Sequence, residues 1–234
     1  MIHQRNPEMR RTCLTISAAA LVVAVILSGA KDAAAQSADP AQRPIRFGLG
    51  GGVSMPIGDF KNGGDVGAIK RDFKQGVAGQ GFVEFRTPGV PLGFRASVTY
   101  NRFDVSQVQY TVSRPGTAQT GTTPSGYSQI LGALGNVTLQ LPTGPIRPYV
   151  MAGLGAFSVK NAANIGFTPG GTYSAGTDQT STNFGIDGGA GLLLRLGPIE
   201  EFAEARLANV YTKQEKFANL KSVQYVPITF GLSF

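Results

Sequence analysis

Ten charged residues stand at separate places in segments that are otherwise apolar or small, and they are the residues whose types could do chemistry. Guanidinium groups and carboxylates can form forked ion pairs, whereas two poised carboxylates could act as a general acid and a general base. No pair of acids is poised by its spacing at one loop mouth. Ion pairing is therefore the expected chemistry of this set, which comprises Arg46, Glu84, Arg86, Arg95, Arg147, Asp187, Arg195, Glu200, Glu204 and Arg206.

The residue types on which most nucleophilic and metal chemistry depends are nearly missing. The chain has one His, His3, and one Cys, Cys13, and both lie near the N-terminus. If that segment is removed, Ser–His and Cys–His catalysis, the usual zinc ligands and any disulfide are excluded. The glycine clusters at Gly48–Gly52 and Gly188–Gly191 match neither the dinucleotide nor the P-loop phosphate motif. The sequence therefore predicts a protein that is not an enzyme and has no metal or cofactor.

The N-terminal segment has the three parts of a secretory signal peptide. A basic head with Arg5, Arg10 and Arg11 precedes an uncharged apolar run from Leu14 to Leu27, and an Ala-rich tail follows. The run barely approaches the roughly 18–20 apolar residues that a spanning helix needs, so cleavage after Ala35 is favoured over an uncleaved anchor. We expect residues 1–35 to be a signal peptide for Sec export and residues 36–45 to be a short periplasmic segment.

Period-two alternation predicts strands along nearly the whole remaining chain. In the segment LGFRASVTYN, Phe94 and Val98 alternate with Arg95 and Ser97, so that one face is apolar and the other is polar. Similar alternation gives about eight strands, at 46–55, 77–86, 92–101, 127–141, 147–157, 183–196, 199–212 and 223–234.

The connections between these strands alternate in length. Tight turns rich in Pro and Gly lie at Thr87–Pro91, Leu141–Pro145 and Leu196–Pro198. Long stretches lie between them, and short turns on one side with long loops on the other are typical of transmembrane barrels. The long stretches are Pro56–Gln75, Ser106–Gly126, Lys160–Thr182 and the shorter Lys213–Lys221.

The final strand ends on the last residue of the sequence, and its alternate positions are apolar. A sheet in a membrane cannot leave an open edge, because each unsatisfied backbone group in lipid costs several kcal/mol. A terminal strand that must pair with the first strand would therefore be ordered to its end. The apolar positions are Phe234, Leu232, Phe230, Ile228 and Val226.

With this ending and the signal peptide, the chain resembles the small outer-membrane β-barrels of the OmpA and OmpX type over residues 46–234. The resemblance implies an all-β fold, an eight-stranded antiparallel up-and-down transmembrane barrel with short periplasmic turns and long extracellular loops. It also implies that the outer-membrane assembly machinery reads Phe234 and the apolar positions behind it. The expected location is the bacterial outer membrane.

Two alternatives concern the direction in which the polar faces point. In a soluble secreted sandwich or lipocalin-like barrel they would point outward, but the chain is only 15% charged and the polar sets are rich in Gly, Ser and Thr. If they point inward, the ten charges share a lumen that eight strands make just wide enough to fill with side chains. We favour a packed, salt-bridged interior over a narrow gated ion path.

The basic balance of the chain, 21 Lys+Arg against 14 Asp+Glu, indicates an anionic surface as partner. Lysines concentrate in the predicted loops, where they would meet lipopolysaccharide of the outer leaflet, and no motif supports nucleic-acid binding. We expect a monomeric, non-catalytic barrel that contributes to envelope integrity and presents its loops. The alternatives are a small pore, or an adhesin that binds through the Gly-, Ser- and Thr-rich stretches 111–126 and 164–181, whose composition predicts mobility.

Overall fold

The computed structural model describes residues 43–61, 73–87, 89–104, 109–114, 117–122, 126–141, 144–167, 173–196, 199–212 and 222–234. The predicted signal peptide, 1–35, and most of the predicted periplasmic segment, 36–45, lie outside the described residues. The described chain contains strands and one four-residue helix, α1 (Gly58–Lys61). The strands are β1 (Ile45–Ile57), β2 (Gly76–Arg86), β3 (Leu92–Asp104), β4 (Gln109–Arg114), β5 (Thr117–Thr122), β6 (Gly126–Gln140), β7 (Ile146–Phe167), β8 (Tyr173–Leu196), β9 (Ile199–Tyr211) and β10 (Ser222–Ser233).

Eight of these strands form one closed antiparallel barrel, as the alternation predicted. Around the wall the order is β1, β10, β9, β8, β7, β6, β3 and β2. The first and last strands close it, with Val53 opposite Ile228 in register. At the periplasmic end the closure is completed by two backbone bonds of 2.9 Å, in which Phe47 N–H donates to Phe234 O and Phe234 N–H donates to Phe47 O. Phe234 is therefore part of the seam.

The outer face of the wall is apolar and the inner face carries the polar set. Large apolar side chains such as Phe230, 61% exposed, and Leu154, 58% exposed, point outward. Their neighbours of opposite parity, such as Thr229 and Arg95, are buried. This is the arrangement of a barrel whose surrounding medium is lipid. Among the described residues, no helix is long and apolar enough to cross a membrane.

Two of the short connections use glycine where the backbone requires it. Gly89 follows β2 with a φ of 78° and Gly144 follows β6 with a φ of 62°. These left-handed conformations strain any residue that has a Cβ, which explains why the sequence places Gly in each tight turn. The long connections lie at the opposite end of the barrel.

Parts of the stretches that were predicted as long loops are paired strands. Strands β4 and β5 pair as a separate two-stranded sheet within the predicted loop 106–126. Strands β7 and β8 continue pairing as far as Phe167 and Tyr173, well past the predicted end of β7 at Phe157. Pairing in a hairpin satisfies the hydrogen bonds of the backbone even where the strands have no apolar face. Thr, which is frequent in these segments, also favours extended backbone. The predicted bounds of the strands and loops were therefore wrong in these ranges.

The seam yields a prediction about the terminal residue. Replacing Phe234 by Asp should strongly reduce the amount of assembled barrel in outer-membrane fractions. A charge at this position near the interface costs less than the roughly 2–4 kcal/mol that Arg or Lys costs at mid-bilayer, so stability alone predicts a mild defect. A large defect would indicate that assembly depends on recognition of the Phe234 side chain.

The matched control is Ser233→Ala on the neighbouring, inward-facing residue. Ser233 is 1% exposed and its hydroxyl has no hydrogen-bond partner among the described residues, so this change should leave barrel levels unaltered. Equal levels for the two variants, measured by heat-dependent migration on gels and immunoblotting, would refute the recognition role.

Candidate functional site in the barrel lumen

The structure brings nine of the ten predicted charged residues together inside the periplasmic half of the barrel. Eight of them are buried, and Arg86 lies at the rim with its side chain 12% exposed. The tenth, Arg195, stands opposite Glu200 in register and is exposed near the end of β8, because it lies beyond the last buried position of that strand, Leu193. The other nine form a continuous set of ion pairs.

Glu84 on β2 is one of the two centres of this set. Arg46 Nη2 donates to Glu84 Oε1 over 2.6 Å, and Arg95 Nε and Nη2 both donate to Oε2 over 2.8 and 2.6 Å. Arg86 Nε lies 3.7 Å from Oε1. Arg46 also reaches Glu200 Oε2 on β9, at 2.8 Å, and Glu200 is paired in turn with Arg147. Both oxygens of the Glu84 carboxylate, a residue that is 1% exposed, therefore accept hydrogen bonds in a forked geometry.

Glu204 on β9 is the second centre. Its Oε2 accepts from Arg95 Nη1 at 2.7 Å and from the hydroxyl of Tyr149 at 2.6 Å. Its Oε1 accepts from Arg206 and from Gln80 Nε2, the latter at 3.2 Å. Strands β3 and β9 are diametrically opposite in the eight-strand ring. Arg95, which holds Glu84 with one part of its guanidinium and Glu204 with another, therefore crosses the lumen.

Asp187 on β8 extends the network toward the extracellular end. Its Oδ1 accepts from Asn136 Nδ2 at 2.6 Å, and its Oδ2 lies 3.4 Å from Arg206 Nη1. Arg206 also donates to the Gln80 side chain, which donates from its own amide to Thr229 Oγ1 at 2.8 Å. The polar face of the strands thus acts as one connected layer rather than as separate surface charges.

An aromatic and aliphatic cluster surrounds the central arginine. The Arg95 guanidinium lies 4.0 Å from the centroid of the Phe82 ring and 5.2 Å from that of Tyr149. Phe82 in turn meets Phe202 edge-on. The space for these rings comes from β1, since a Cβ on Gly48 would overlap the Phe82 ring and one on Gly50 would crowd Phe202. The glycine cluster Gly48–Gly52 therefore serves packing, as expected for glycine in strands.

A second apolar cluster fills the extracellular half of the lumen, and sequence reasoning missed it. Helix α1 places Phe60, 2% exposed, in the mouth of the barrel. Its ring stacks on Phe73 at 4.6 Å between centroids and meets Phe103 edge-on at 5.2 Å. The inward-facing members of this cluster are Phe103, Ile130, Leu134, Phe157, Val159, Ala208, Val210, Val223 and Tyr225.

The backbone at the end of β1 explains how Phe60 reaches this position. Gly58 has a φ of 58°, which turns the chain out of the strand and into the single helical turn. A Cβ on Gly58 would come within 2.7 Å of the Gln224 amide oxygen on β10. A signal for the cluster was available in the sequence, because both alternating sets become apolar near the extracellular ends, as Tyr100 and Phe103 show on β3.

The arrangement can hold the walls together and obstruct the lumen. A small recess between the two layers is lined in part by Thr99 and Asn101, whose Oγ1 and Oδ1 atoms have no hydrogen-bond partner in the described part of the chain. No group of three or more His, Cys, Asp or Glu that could hold a metal ion occurs among the described residues. The four lumenal carboxylates are all engaged by arginines.

The network predicts a large effect of removing one central charge. Replacing Glu204 by Gln leaves Arg95 and Arg206 without their shared carboxylate in a buried site, which should lower the free energy of unfolding by about 3–5 kcal/mol. The measurement is urea unfolding of the barrel folded into lipid vesicles. The control is Glu201→Gln on the same strand, where the side chain is exposed, and the expected change is within about 0.5 kcal/mol. Equal losses for Gln at the two positions would contradict the assigned role of the network.

Comparison with solved structures shows the same fold. Neisserial surface protein A (NspA) is 14% identical with a TM-score of 0.50, and the match covers 81% of this chain and 96% of that one. A major outer membrane protein from Thermus thermophilus is 12% identical with a TM-score of 0.50, covering 81% of this chain and 98% of that one. No curated protein sequence shows significant similarity to the chain. At these identities the likeness concerns the fold alone.

The sequence itself matches the family model described as "Outer membrane protein beta-barrel domain" over residues 18–224. That range is most of the chain, and the closed eight-stranded barrel agrees with it. The resemblance inferred from the final strand and the expected location are thereby confirmed. This protein of the bacterial outer membrane belongs to the outer membrane protein β-barrel domain family.

Proposed function

We propose that the protein is a non-catalytic barrel that contributes to the integrity of the outer membrane and presents its long connections at the cell surface. The observation that carries the proposal is the obstruction of the lumen at two levels. Arg95 joins opposite walls in the periplasmic half, and the cluster around Phe60 fills the extracellular half. A barrel filled in this way offers a rigid wall but no continuous aqueous path.

The chemistry of the side chains supports a non-catalytic role. General-base chemistry near neutral pH most often uses His, and the mature chain would have none if residues 1–35 are removed. The buried acids Glu84, Asp187, Glu200 and Glu204 are each bound by arginine. In this proposal these groups join the strands of the barrel wall and do not act on a substrate.

The partners in this proposal follow from the location. The assembly machinery of the outer membrane would read the final strand, through Phe234 and the apolar positions behind it. Lipopolysaccharide would surround the extracellular end, where Lys61 and Lys74 are exposed. The protein would act as a monomer, since the ring closes upon itself through β1 and β10.

An adhesin is a second candidate, and the backbone of the long connections favours it. The β4–β5 hairpin and the continuation of β7 and β8 to Phe167 and Tyr173 give this end regular structure. Strand edges in such hairpins offer backbone donors and acceptors to another chain. Binding of bacteria to host or matrix surfaces that is lost when 109–122 is deleted, while the barrel still assembles, would establish this role.

Conductance separates the structural barrel from a pore. Mature protein purified from membranes and inserted into planar bilayers should show no discrete, reproducible channel. Regular unitary currents from the unmodified protein would overturn the proposal. The informative comparison is the double variant Arg95→Ala with Phe60→Ala, which removes an obstruction from each half of the lumen. It should conduct while the protein keeps the heat-dependent gel migration of a folded barrel.

A further inference from the structure

The outer face of the barrel carries two cations at one level. Where the structure describes side chains of the barrel strands, the outward-facing cations are Arg102 on β3 and Lys160 on β7. Both occupy outward-facing positions of their strands, since their neighbours Phe103 and Val159 are fully buried in the lumen. The remaining arginines of the barrel strands occupy the alternate positions that face the lumen.

The register places these two cations in a single row. Arg102 is opposite Gln129 on β6, and Gln129 is opposite Lys160 on β7. Adjacent strands lie about 4.8 Å apart, so the two cationic residues are about 10 Å apart with an amide side chain between them. Long Arg and Lys side chains can converge over that span on one group.

This row lies at the extracellular edge of the apolar belt. The next outward row toward the periplasm contains Tyr100 and Leu131, and the row after it contains Val98 and Ala133. The Arg102 guanidinium lies 4.5 Å from the centroid of the Tyr127 ring. Tyr127 is one outward row further toward the extracellular end, opposite Asp104. Tyrosine beside cations at the end of an apolar belt is typical of the level of lipid headgroups.

An acid lies beside Arg102 and leaves part of its guanidinium open to a ligand. Arg102 Nε lies 3.4 Å from Asp104 Oδ1, and these side chains are 46% and 69% exposed. An ion pair so exposed contributes little, and its geometry uses Nε while Nη1 and Nη2 take no part in it. A guanidinium, an ammonium and an amide on one row match the oxygens of a phosphate.

We propose that Arg102, Gln129 and Lys160 form a binding site for the phosphorylated headgroup of an outer-leaflet lipid. The occupant is a lipid rather than free phosphate because the rows beneath the site are apolar and exposed, and acyl chains would cover them. The site holds one lipid against the wall between β3 and β7. It does not depend on whether the lumen conducts.

The test is a titration of the folded mature protein in neutral detergent, followed by native mass spectrometry. The probe is dioleoyl phosphatidic acid, and dioleoylglycerol is the same lipid without phosphate. Each cation near an anionic headgroup contributes about a fivefold factor in affinity, so Arg102→Gln and Lys160→Gln should each weaken binding about fivefold. The double variant should weaken binding by roughly thirtyfold.

Two further variants separate a binding role from a structural one. Asp104→Asn removes the acid that competes for Arg102 and should tighten phosphatidic acid binding about two- to fivefold. Arg195→Gln removes an exposed cation near the periplasmic end of β8 and should leave affinity unchanged. All variants should keep the heat-dependent migration of a folded barrel.

The opposite results would overturn the site. Equal affinity of all variants for phosphatidic acid would show that the row does not bind the headgroup. Equal binding of dioleoylglycerol would show that the phosphate is not recognised. Inorganic phosphate that displaces the lipid at equal concentration would show a simple anion site in place of a lipid site.

Discussion

The structure depends on pairing the charge of Arg95 inside the barrel. A guanidinium that is 1% exposed cannot be left without acceptors, because an unpaired buried charge is far costlier than an unpaired dipole. Its acceptors come from Glu84 on a neighbouring strand and Glu204 on the opposite strand. The requirement to satisfy one cation therefore ties both sides of the ring together and fills its centre. Glycines at Gly48 and Gly50 make room for the rings that cover it.

The same strands must meet opposite demands on their lumenal and outer faces. Outward residues meet lipid and are apolar, whereas lumenal residues must fill a narrow space without leaving polar groups unpaired. The chain meets the second demand with ion pairs in the periplasmic half and with apolar contacts around Phe60 in the extracellular half. Polar outward residues such as Arg102 and Lys160 occur where the wall leaves the apolar belt, which is why a headgroup site is expected there.

The sequence predicts the wall well because strand alternation is local. Phe94 and Val98 were assigned to one face, and Arg95 and Ser97 to the other, from neighbours two residues away, as the structure shows. Pairing partners could not be predicted, because Arg95 and Glu204 are 109 residues apart and their contact depends on strand order. The position of Phe60 depends on a backbone turn at Gly58, and the hairpin of β4 and β5 arises in a segment whose composition suggested a loop. Arg195 has the predicted parity but lies past the buried part of its strand.

A double-mutant cycle between Arg95 and Glu204 tests most directly whether an ion pair across the lumen holds the barrel together. Arg95→Met, Glu204→Gln and the combined variant would be folded into lipid vesicles and their free energies of unfolding measured in urea. Because the two residues share a buried contact, we expect a coupling energy of at least about 1.5 kcal/mol, with the combined variant more stable than additivity allows. Strictly additive effects would contradict it.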